Sequence, residues 1–302
     1  MVRVRVRRDL SDDDRTAVLG FLDAAHALDC AQLDDHLQSD LHQGPRAGFV
    51  AALATDDDGQ LVGYAQASTG NDGFVIDSIV WSAFDGDVDA VRVSLLRTLL
   101  AELPAHATVT WWTHDEPSEA VLAASLGMQP HRRLLQMRRP LPIDEHAGVE
   151  VRGFRVGVDE TAWLEVNNAA FSWHGEQGGW DLKVLQQRER EPWFSADGFL
   201  LHERDGRLAA FCWTKLHRPE VLGDPLVGEI YVVAVHPDFH GTGLGRALTV
   251  AGLEHLHSVG ATEGMLYVDG DNESAVHLYR KLGFSVAHID VAHRLPSTGG
   301  SS

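Results

Sequence analysis

The stretch from Gly228 to Gly260 constrains the fold of this chain more than any other part of it. Residues 229–235 are mostly β-branched, aromatic or small apolar, which predicts a strand, and Pro237 ends it because proline donates no ladder hydrogen bond. The residues HGTGLG follow at 240–245, and apolar residues then recur at helical spacing. A strand that leads through a glycine-rich turn into a helix N-terminus is typical of an anion site, because the ligand reaches backbone N–H groups that the helix leaves free.

The spacing of this turn does not fit two common phosphate-binding motifs. A P-loop requires Gly-Lys-Ser/Thr, but Gly245 is followed by Arg246-Ala247. A dinucleotide fingerprint requires G-x-G-x-x-G, whereas the spacing here is G-x-G-x-G. The pattern His240-x-x-Gly243-x-Gly245 resembles the pyrophosphate loop of GNAT-type N-acetyltransferases, which usually begins with Gln or Arg rather than His. The alternative is a tight turn whose glycines only allow close helix packing.

The order of strands and helices runs through the chain twice. The predicted hairpin turn Asp58-Gly59 recurs as Asp205-Gly206, and the helix end Leu126-Gly127 recurs as Leu282-Gly283. The resemblance and the repeat predict an α/β fold, a mixed sheet with flanking helices, built as two tandem GNAT-type domains. The expected bounds are 1–140 for the first domain, 141–150 for a proline-containing linker, 151–296 for the second domain and 297–302 for a disordered Gly/Ser tail.

The two copies differ where the chemistry would occur. In place of the glycine turn, the first copy has SAFDGDVD at 82–89, with one glycine and three aspartates that would repel a pyrophosphate. Ala123 stands in the first copy where the second has Tyr279. We therefore predict that the first domain is degenerate and non-catalytic and that the second domain carries the chemistry.

The acidic composition of the chain excludes some classes of binding partner. The net charge of −19, with histidines neutral, argues against nucleic acid or an anionic membrane. The N-terminus lacks the apolar core of a signal peptide, and no apolar run reaches the roughly 18 residues of a membrane span. The two cysteines, Cys30 and Cys212, match no zinc spacing, so we expect no metal. We expect a cytoplasmic monomer with reduced thiols.

The segment from Asn272 to Phe284 resembles the GNAT family most specifically. Asn272, Ala275 and Tyr279 have the spacing of the family segment N-x-x-A-x-x-x-Y-x-x-x-G-F, which Gly283-Phe284 completes. In that family the tyrosine hydroxyl lies beside the thioester sulfur and acts as the general acid. A phenol is a weaker acid than a thiol, so it still holds its proton when a thiolate leaves. The alternative is a tyrosine that only fills the core.

Acetyl transfer to an amine also needs a base and donors for the oxyanion. Glu229 shares a strand face with Val235 by parity, and we interpret it as the base, acting directly or through water. A solvated carboxylate at the strand end is the alternative. The N–H groups of residues 233–235 can bind the oxyanion if the strand leaves its neighbour there.

The GNAT resemblance implies a set of acetyl-CoA contacts in the strand, in the glycine turn and at the start of a later helix. They are Val233, Ala234, Val235, His240, Gly241, Thr242, Gly243, Leu244, Gly245, Arg246, Asn272, Glu273, Ser274, Ala275, Val276 and His277.

Three features together resemble the mycothiol synthases, a tandem GNAT family that acetylates the cysteine amine of cysteinyl-glucosaminyl-inositol. They are the degenerate first copy, FSWHGEQGGW at 171–180 and LYVDGDN at 266–272. The resemblance implies that acetyl-CoA is the co-substrate and this amine the acceptor. The implied acceptor contacts are Asp35, Glu176, Lys215, Glu229 and Tyr267. A glutamate is usual in that family where this chain has Asp35.

Two other functions stay open from the residues alone. One is a tandem acetyltransferase for another small amine, such as an aminoglycoside or a peptide. The other is a non-catalytic protein that only binds acetyl-CoA. The presence of both Glu229 and Tyr279 weighs against the second.

Overall fold

The chain divides into two compact units. The computed structural model describes residues 2–29, 33, 35–70, 72–172, 177–217 and 226–296, without the side chains of residues 29, 35, 36 and 43. The first unit is Met1–Arg133 together with Asp290–Ser302, and the second is Leu134–Ile289. Within the described part of the chain, no helix is long and apolar enough to cross a membrane.

The first unit is a mixed sheet with helices against it. Its elements are β1 (Arg3–Arg7), α1 (Asp12–Asp29), α2 (Asp35–Gln43), β2 (Val50–Thr55), β3 (Leu61–Gly70), β4 (Gly73–Val80), α3 (Val88–Ala101), β5 (Val109–His114) and α4 (Pro117–Ser125). The strands lie in the order β1-β2-β3-β4-β5, and residues 290–295 pair with β5. The β4–β5 pair is parallel and the other pairs are antiparallel.

The second unit repeats this plan. Its elements are β6 (Gln129–Pro140, of which residues 134–140 belong here), β7 (Arg152–Gly153), α5 (Glu160–Ala170), α6 (Leu182–Arg188), β8 (Phe199–Arg204), β9 (Arg207–Leu216), β10 (Val227–Val235), α7 (Leu244–Ser258), β11 (Glu263–Asp269), α8 (Glu273–Lys281) and the start of β12 (Ser285–Leu295). The strand order is β6-β11-β10-β9-β8-β7, with only β10–β11 parallel. The predicted mixed α/β architecture is confirmed.

Both predicted hairpins form around their Asp-Gly turns. Gly59 has φ +81°, and Asp205 and Gly206 have φ values of +53° and +72°. Two consecutive residues at positive φ are typical of a type I′ turn, whose twist matches that of the flanking strands. The turn chemistry therefore sets the register of β8 and β9.

Helix α7 packs closely on one face of the second sheet because glycines leave room for it. A Cβ at Gly252 would lie 2.5 Å from Cys212 Sγ and 2.6 Å from Ile230 Cδ1. Both of those side chains are buried, and Cys212 is fully so. The opposite face holds an aromatic cluster in which the rings of Phe199 and Trp213 stack with centroids 4.2 Å apart.

Strand β7 is shorter than its residue pattern favours. The apolar and polar residues of 151–155 are typical of a five-residue strand. The strand is only Arg152–Gly153, because the backbone N–H of Phe154 donates to Ala196 O and that of Arg155 donates to the Asp159 carboxylate.

A buried ion-pair network fixes the start of the second unit. Asp159 is 5% exposed, and its carboxylate accepts hydrogen bonds from Arg152 at 2.7 and 3.0 Å and from the Arg155 backbone at 2.8 Å. Burial alone would raise the pKa of Asp159, but the hydrogen bonds from Arg152 and Arg155 outweigh it and hold the pKa well below its usual range. The network ties β7 to the N-terminus of α5.

Replacing Asp159 with Asn should destabilise the protein by about 2 kcal/mol at neutral pH, because the partly exposed guanidinium groups of Arg152 and Arg155 lose the buried carboxylate that pairs with them. Because the pKa of Asp159 is depressed in the folded state, its contribution to stability is fully present above the unfolded pKa of about 4 and is lost as pH falls from there toward the folded pKa. The stability difference between wild type and variant, measured by urea unfolding, should therefore stay constant down to about pH 5 and shrink as pH falls below about 4.

Asp238 provides the control for this variant. It pairs with Arg207, and both side chains are more than half exposed. Replacing Asp238 with Asn should cost about 0.5 kcal/mol or less. Equal losses for the two variants, or a loss at Asp159 that ignores pH, would contradict the account of the network.

Candidate active site

The glycine turn between β10 and α7 presents free backbone donors. Gly241 and Gly243 have φ values of +74° and +83°, and Gly243 is the N-cap of α7 without a side-chain cap. The hydrogen bond from Ala247 N to Gly243 O begins the helix ladder, so the preceding N–H groups have no partner within the helix. A Cβ at Gly241 or Gly243 would meet nothing within 4 Å. The turn therefore offers an open, electropositive helix N-terminus that suits a pyrophosphate.

Side chains around the turn complete its surface. Thr242 Oγ1 donates to Phe239 O at 2.7 Å, and His240 Nε2 donates to Val235 O at 3.0 Å. Leu244 is buried, while Gly245 and Arg246 are half-buried. The Arg246 guanidinium contacts the Glu145 carboxylate at 2.5 and 2.6 Å, so in this structure its charge faces a carboxylate rather than an anion.

Strands β10 and β11 part in the second half of β10, before the chain reaches the glycine turn. Their parallel pairing runs from Val227 to Ile230 on β10, whereas β10 itself continues to Val235. The register of β10 against β9 shifts between Ile230 and Val232, which marks a bulge at the same point. The last residues of β10 thus keep β9 on one side and have an open edge on the other.

This open edge exposes a row of peptide groups. His236 N donates to Ala209 O, which sets the alternation along the β9–β10 ladder. By that alternation Ala234 bonds β9, and the N–H groups of Val233 and Val235 face the edge that β11 has left. The opening on which the oxyanion prediction depends is therefore present, and it begins at Tyr231, two residues after Glu229.

Tyr279 lies on the side of the sheet that α7 covers. It is 8% exposed, and its ring packs edge-on against Phe284 at 5.9 Å. Helix α8 starts at an N-cap, Asn272, whose side chain accepts from Ala275 N at 3.1 Å. In the first turn, Glu273, Ser274 and His277 are exposed, Ala275 is half-buried and Val276 is buried.

Burial sets the protonation state of Tyr279. It raises the pKa of the phenol well above its usual range, and Cys212 adds to the effect. A tyrosine in this surrounding stays protonated at neutral pH. It can therefore donate a proton to a leaving thiolate but cannot serve as a base.

Glu229 projects from the opposite face of the sheet. Its neighbour Gly228 contacts Leu256 of α7, so Glu229 points away from that helix. The residue is 6% exposed, and its Oε2 accepts a hydrogen bond from His217 Nε2 at 2.8 Å. It is thus a buried carboxylate and not the solvated strand-end group of the alternative interpretation.

The same face carries two other predicted acceptor contacts. Lys215 lies opposite Glu229 in the β9–β10 register, and its ammonium is 5.1 Å from the Trp193 ring centre and 5.9 Å from that of Tyr231. Tyr267 is 43% exposed, and its hydroxyl accepts from Gln136 Nε2 at 2.7 Å. Glu176 and the side chain of Asp35 lie outside what the structure describes.

The chain has relatives along its whole length. Residues 162–284 match the model of the Acetyltransferase (GNAT) family. A mycothiol acetyltransferase of Thermobispora bispora is 42% identical over 301 residues, which is 97% of this chain and 99% of the relative. The chain belongs to the mycothiol acetyltransferase family.

Solved structures support a tandem fold for this family member. A GCN5-related N-acetyltransferase from Sphaerobacter thermophilus aligns with a TM-score of 0.69 at 22% identity, covering 99% of this chain and 97% of that one. A tandem GNAT protein from the clavulanic acid biosynthesis pathway aligns with a TM-score of 0.67 at 16% identity, covering all of both chains. The GNAT fold and the predicted family resemblance are confirmed.

In this mycothiol acetyltransferase family member, helix α3 of the first unit begins differently from helix α7 of the second unit. The Asp87 carboxylate caps α3 by accepting from Ala90 N at 2.9 Å, and Asp89 adds a second charge in the first turn. A pyrophosphate approaching the N-terminus of α3 would therefore be repelled by the carboxylate already bound there. Ala123 is fully buried and has no hydroxyl group, so it can donate no proton to a leaving thiolate.

Two residues on the sheet face that carries Glu229 were missed from the sequence. His217 follows β9 and Trp193 lies between α6 and β8, and both contact predicted site residues. Parity along β9 could have indicated His217, since it is two residues from Lys215. No pattern in the sequence singles out Trp193.

Proposed function

We propose that this chain transfers acetyl from acetyl-CoA to the cysteine amine of cysteinyl-glucosaminyl-inositol, which forms mycothiol. The observation that carries the proposal is the parting of β10 from β11 between a buried carboxylate and a buried phenol. Glu229 lies on one face of the sheet and Tyr279 on the other, with the open N–H groups of Val233 and Val235 between them along β10. Family membership supports the choice of acceptor.

Acetyl-CoA fits the second unit as the co-substrate. The free N–H groups at the start of α7 suit its pyrophosphate, and the open edge of β10 suits the amide groups of its pantetheine arm. The charge of Arg246 is available to the phosphates once Glu145 is displaced. Each of these contacts uses the backbone or a half-exposed side chain, so the helix packing need not change.

The reaction follows from this placement. Glu229 takes a proton from the acceptor ammonium, directly or through water, and the free amine attacks the thioester carbonyl carbon. The C–N bond forms, and the oxyanion receives hydrogen bonds from the N–H groups at Val233 and Val235. The C–S bond then breaks, and the thiolate takes the Tyr279 proton. The nitrogen loses its second proton to solvent as the amide forms, and the Tyr279 phenolate takes a proton back from solvent. The products are the N-acetyl amide and CoA.

The acceptor binds on the face that carries Glu229. Lys215, held against the Trp193 and Tyr231 rings, and the Tyr267 hydroxyl suit the hydroxyl groups of the sugar and inositol. Asp35 and Glu176 are further acceptor contacts that the family resemblance implies.

Replacing Glu229 with Gln tests the base. The amide keeps the size of the side chain but accepts no proton, so we expect kcat to fall by about a hundredfold and the fall in rate at low pH to disappear. The measurement is the pH dependence of kcat for acetylation of cysteinyl-glucosaminyl-inositol.

Glu263 provides a matched control on the same face. Its carboxylate pairs with Arg138 at 2.9 Å and takes no part in the proposed chemistry. Replacing Glu263 with Gln should leave the pH profile unchanged. A low-pH limb that persists in the Glu229 variant would assign the proton transfer to another group.

A further inference from the structure

The buried Glu229 carboxylate has a single hydrogen-bond partner among the described side chains. That partner is His217, whose Nε2 is 2.8 Å from Glu229 Oε2. Lys215 lies opposite Glu229 in the register but forms no ion pair with it, since its ammonium lies over the Trp193 and Tyr231 rings. Burying a carboxylate costs free energy unless a donor hydrogen-bonds to it. The hydrogen bond from His217 therefore stabilises the Glu229 carboxylate and orients it.

His217 is itself held in place. It follows the last residue of β9, and its backbone N–H donates to Val227 O at 3.0 Å, which extends the pairing with β10. Its side chain is 13% exposed. The backbone of His217 therefore belongs to the β9–β10 ladder. Its ladder partner, Val227, lies two residues before Glu229 on β10.

We propose that His217 is a positioning residue for Glu229. The ring N–H binds Oε2 and fixes the carboxylate rotamer, which leaves Oε1 to receive the proton from the acceptor amine or from an intervening water. This role rests on the proposed function, because it requires Glu229 to be the base. His217 itself neither touches the reacting atoms nor carries a proton in the reaction.

The position of the base has a direct effect on rate. A catalytic group displaced by about 1 Å can lose a hundredfold in rate while binding is preserved. Loss of the ring N–H frees the Glu229 side chain to rotate but leaves the glycine turn and α7 untouched. The expected signature is a lower kcat with an unchanged KM for acetyl-CoA.

The test is a double-mutant cycle between the two residues. Replacing His217 with Leu, which removes the donor, should lower kcat by about tenfold to a hundredfold. Replacing it with Gln, whose amide N–H reaches the position of Nε2, should restore at least about a third of the wild-type kcat. In a Glu229→Gln background, His217→Leu should have no further effect, because its contribution passes through the carboxylate.

A merely structural role gives a different pattern. It predicts that His217→Leu lowers thermal stability and activity equally in both backgrounds, and that Gln gives no rescue. Either result, or a wild-type kcat in His217→Leu, overturns the proposal. If His217→Leu does not fold, His217→Asn replaces it, since its shorter amide does not reach Glu229.

The same cycle separates this inference from the proposed function. If kcat falls in Glu229→Gln and is unchanged in His217→Leu, only the positioning role of His217 is refuted. If Glu229→Gln keeps the wild-type rate, the assignment of the base fails. A wild-type protein that acetylates no amine refutes the function and the role of His217 with it.

Discussion

Replacing Gly243 with Asp is expected to remove nearly all turnover at acetyl-CoA concentrations near the wild-type KM while leaving the protein folded. Gly243 is the N-cap of α7, and an added Cβ there meets nothing within 4 Å. Aspartate is a favoured N-cap and tolerates positive φ better than most residues, so the helix should still form. The new carboxylate would lie where the pyrophosphate binds. Unit charges about 4 Å apart near a protein surface repel by about 4 kcal/mol.

That repulsion should raise the KM for acetyl-CoA by about a hundredfold or more, measured by initial rates and by calorimetric titration of CoA. Gly243→Asn is the matched variant, because it adds the same bulk without the charge and should lose less affinity. Asp87→Gly in the first unit should cost about 1 kcal/mol of stability and leave kcat unchanged. If Gly243→Asp turned over normally and Asp87→Gly did not, the chemistry would belong to the first unit.

Replacing Tyr279 with Phe should lower kcat by about tenfold or more and change the KM for acetyl-CoA little. The ring keeps its packing against Phe284, so only the proton donor is lost. Because burial raises the pKa of the phenol well above its usual range, the loss should be the same between about pH 6 and pH 9. The measurement is kcat across that range.

Tyr64 is a suitable control for removing a buried hydroxyl. It is fully buried in the first unit, and its hydroxyl donates to Gln66 Oε1 at 2.8 Å. Tyr64→Phe should cost about 1 kcal/mol of stability and leave kcat unchanged. An unchanged kcat in Tyr279→Phe would remove that tyrosine from the mechanism.

The sequence was sufficient for the parts of the fold that depend on local chemistry. The Asp-Gly pairs predicted both hairpins, and the β-branched run before the glycine turn and the helical spacing after it predicted β10 and α7. The start of α5 was less predictable, because a carboxylate, Asp159, takes the Arg155 N–H and shortens β7 to two residues. A side-chain carboxylate and a neighbouring strand compete here for the same backbone N–H group. The outcome depends on which charged side chains the fold places near that group.

The candidate site likewise contains some residues that local sequence predicted and others that only the tertiary fold brings together. The spacing of Asn272 and Tyr279 predicted the helix that carries the proposed general acid, because that spacing follows from the helix period. The partner of Glu229 could not be identified in this way, since His217 meets it through the pairing of β9 with β10. Trp193 reaches Lys215 from a loop, and no periodicity relates the two positions.

The most direct test of the account is acceptor competition with purified protein. Acetyl-CoA is supplied with cysteinyl-glucosaminyl-inositol or, separately, with glucosamine, free cysteine or a lysine peptide, and CoA release is followed with mass analysis of the acetylated product. We predict stoichiometric N-acetylation of the cysteine amine, with a kcat/KM at least about a hundredfold above that for any simple amine. Equal rates on the simple amines, or binding of acetyl-CoA without turnover of any acceptor, would contradict it.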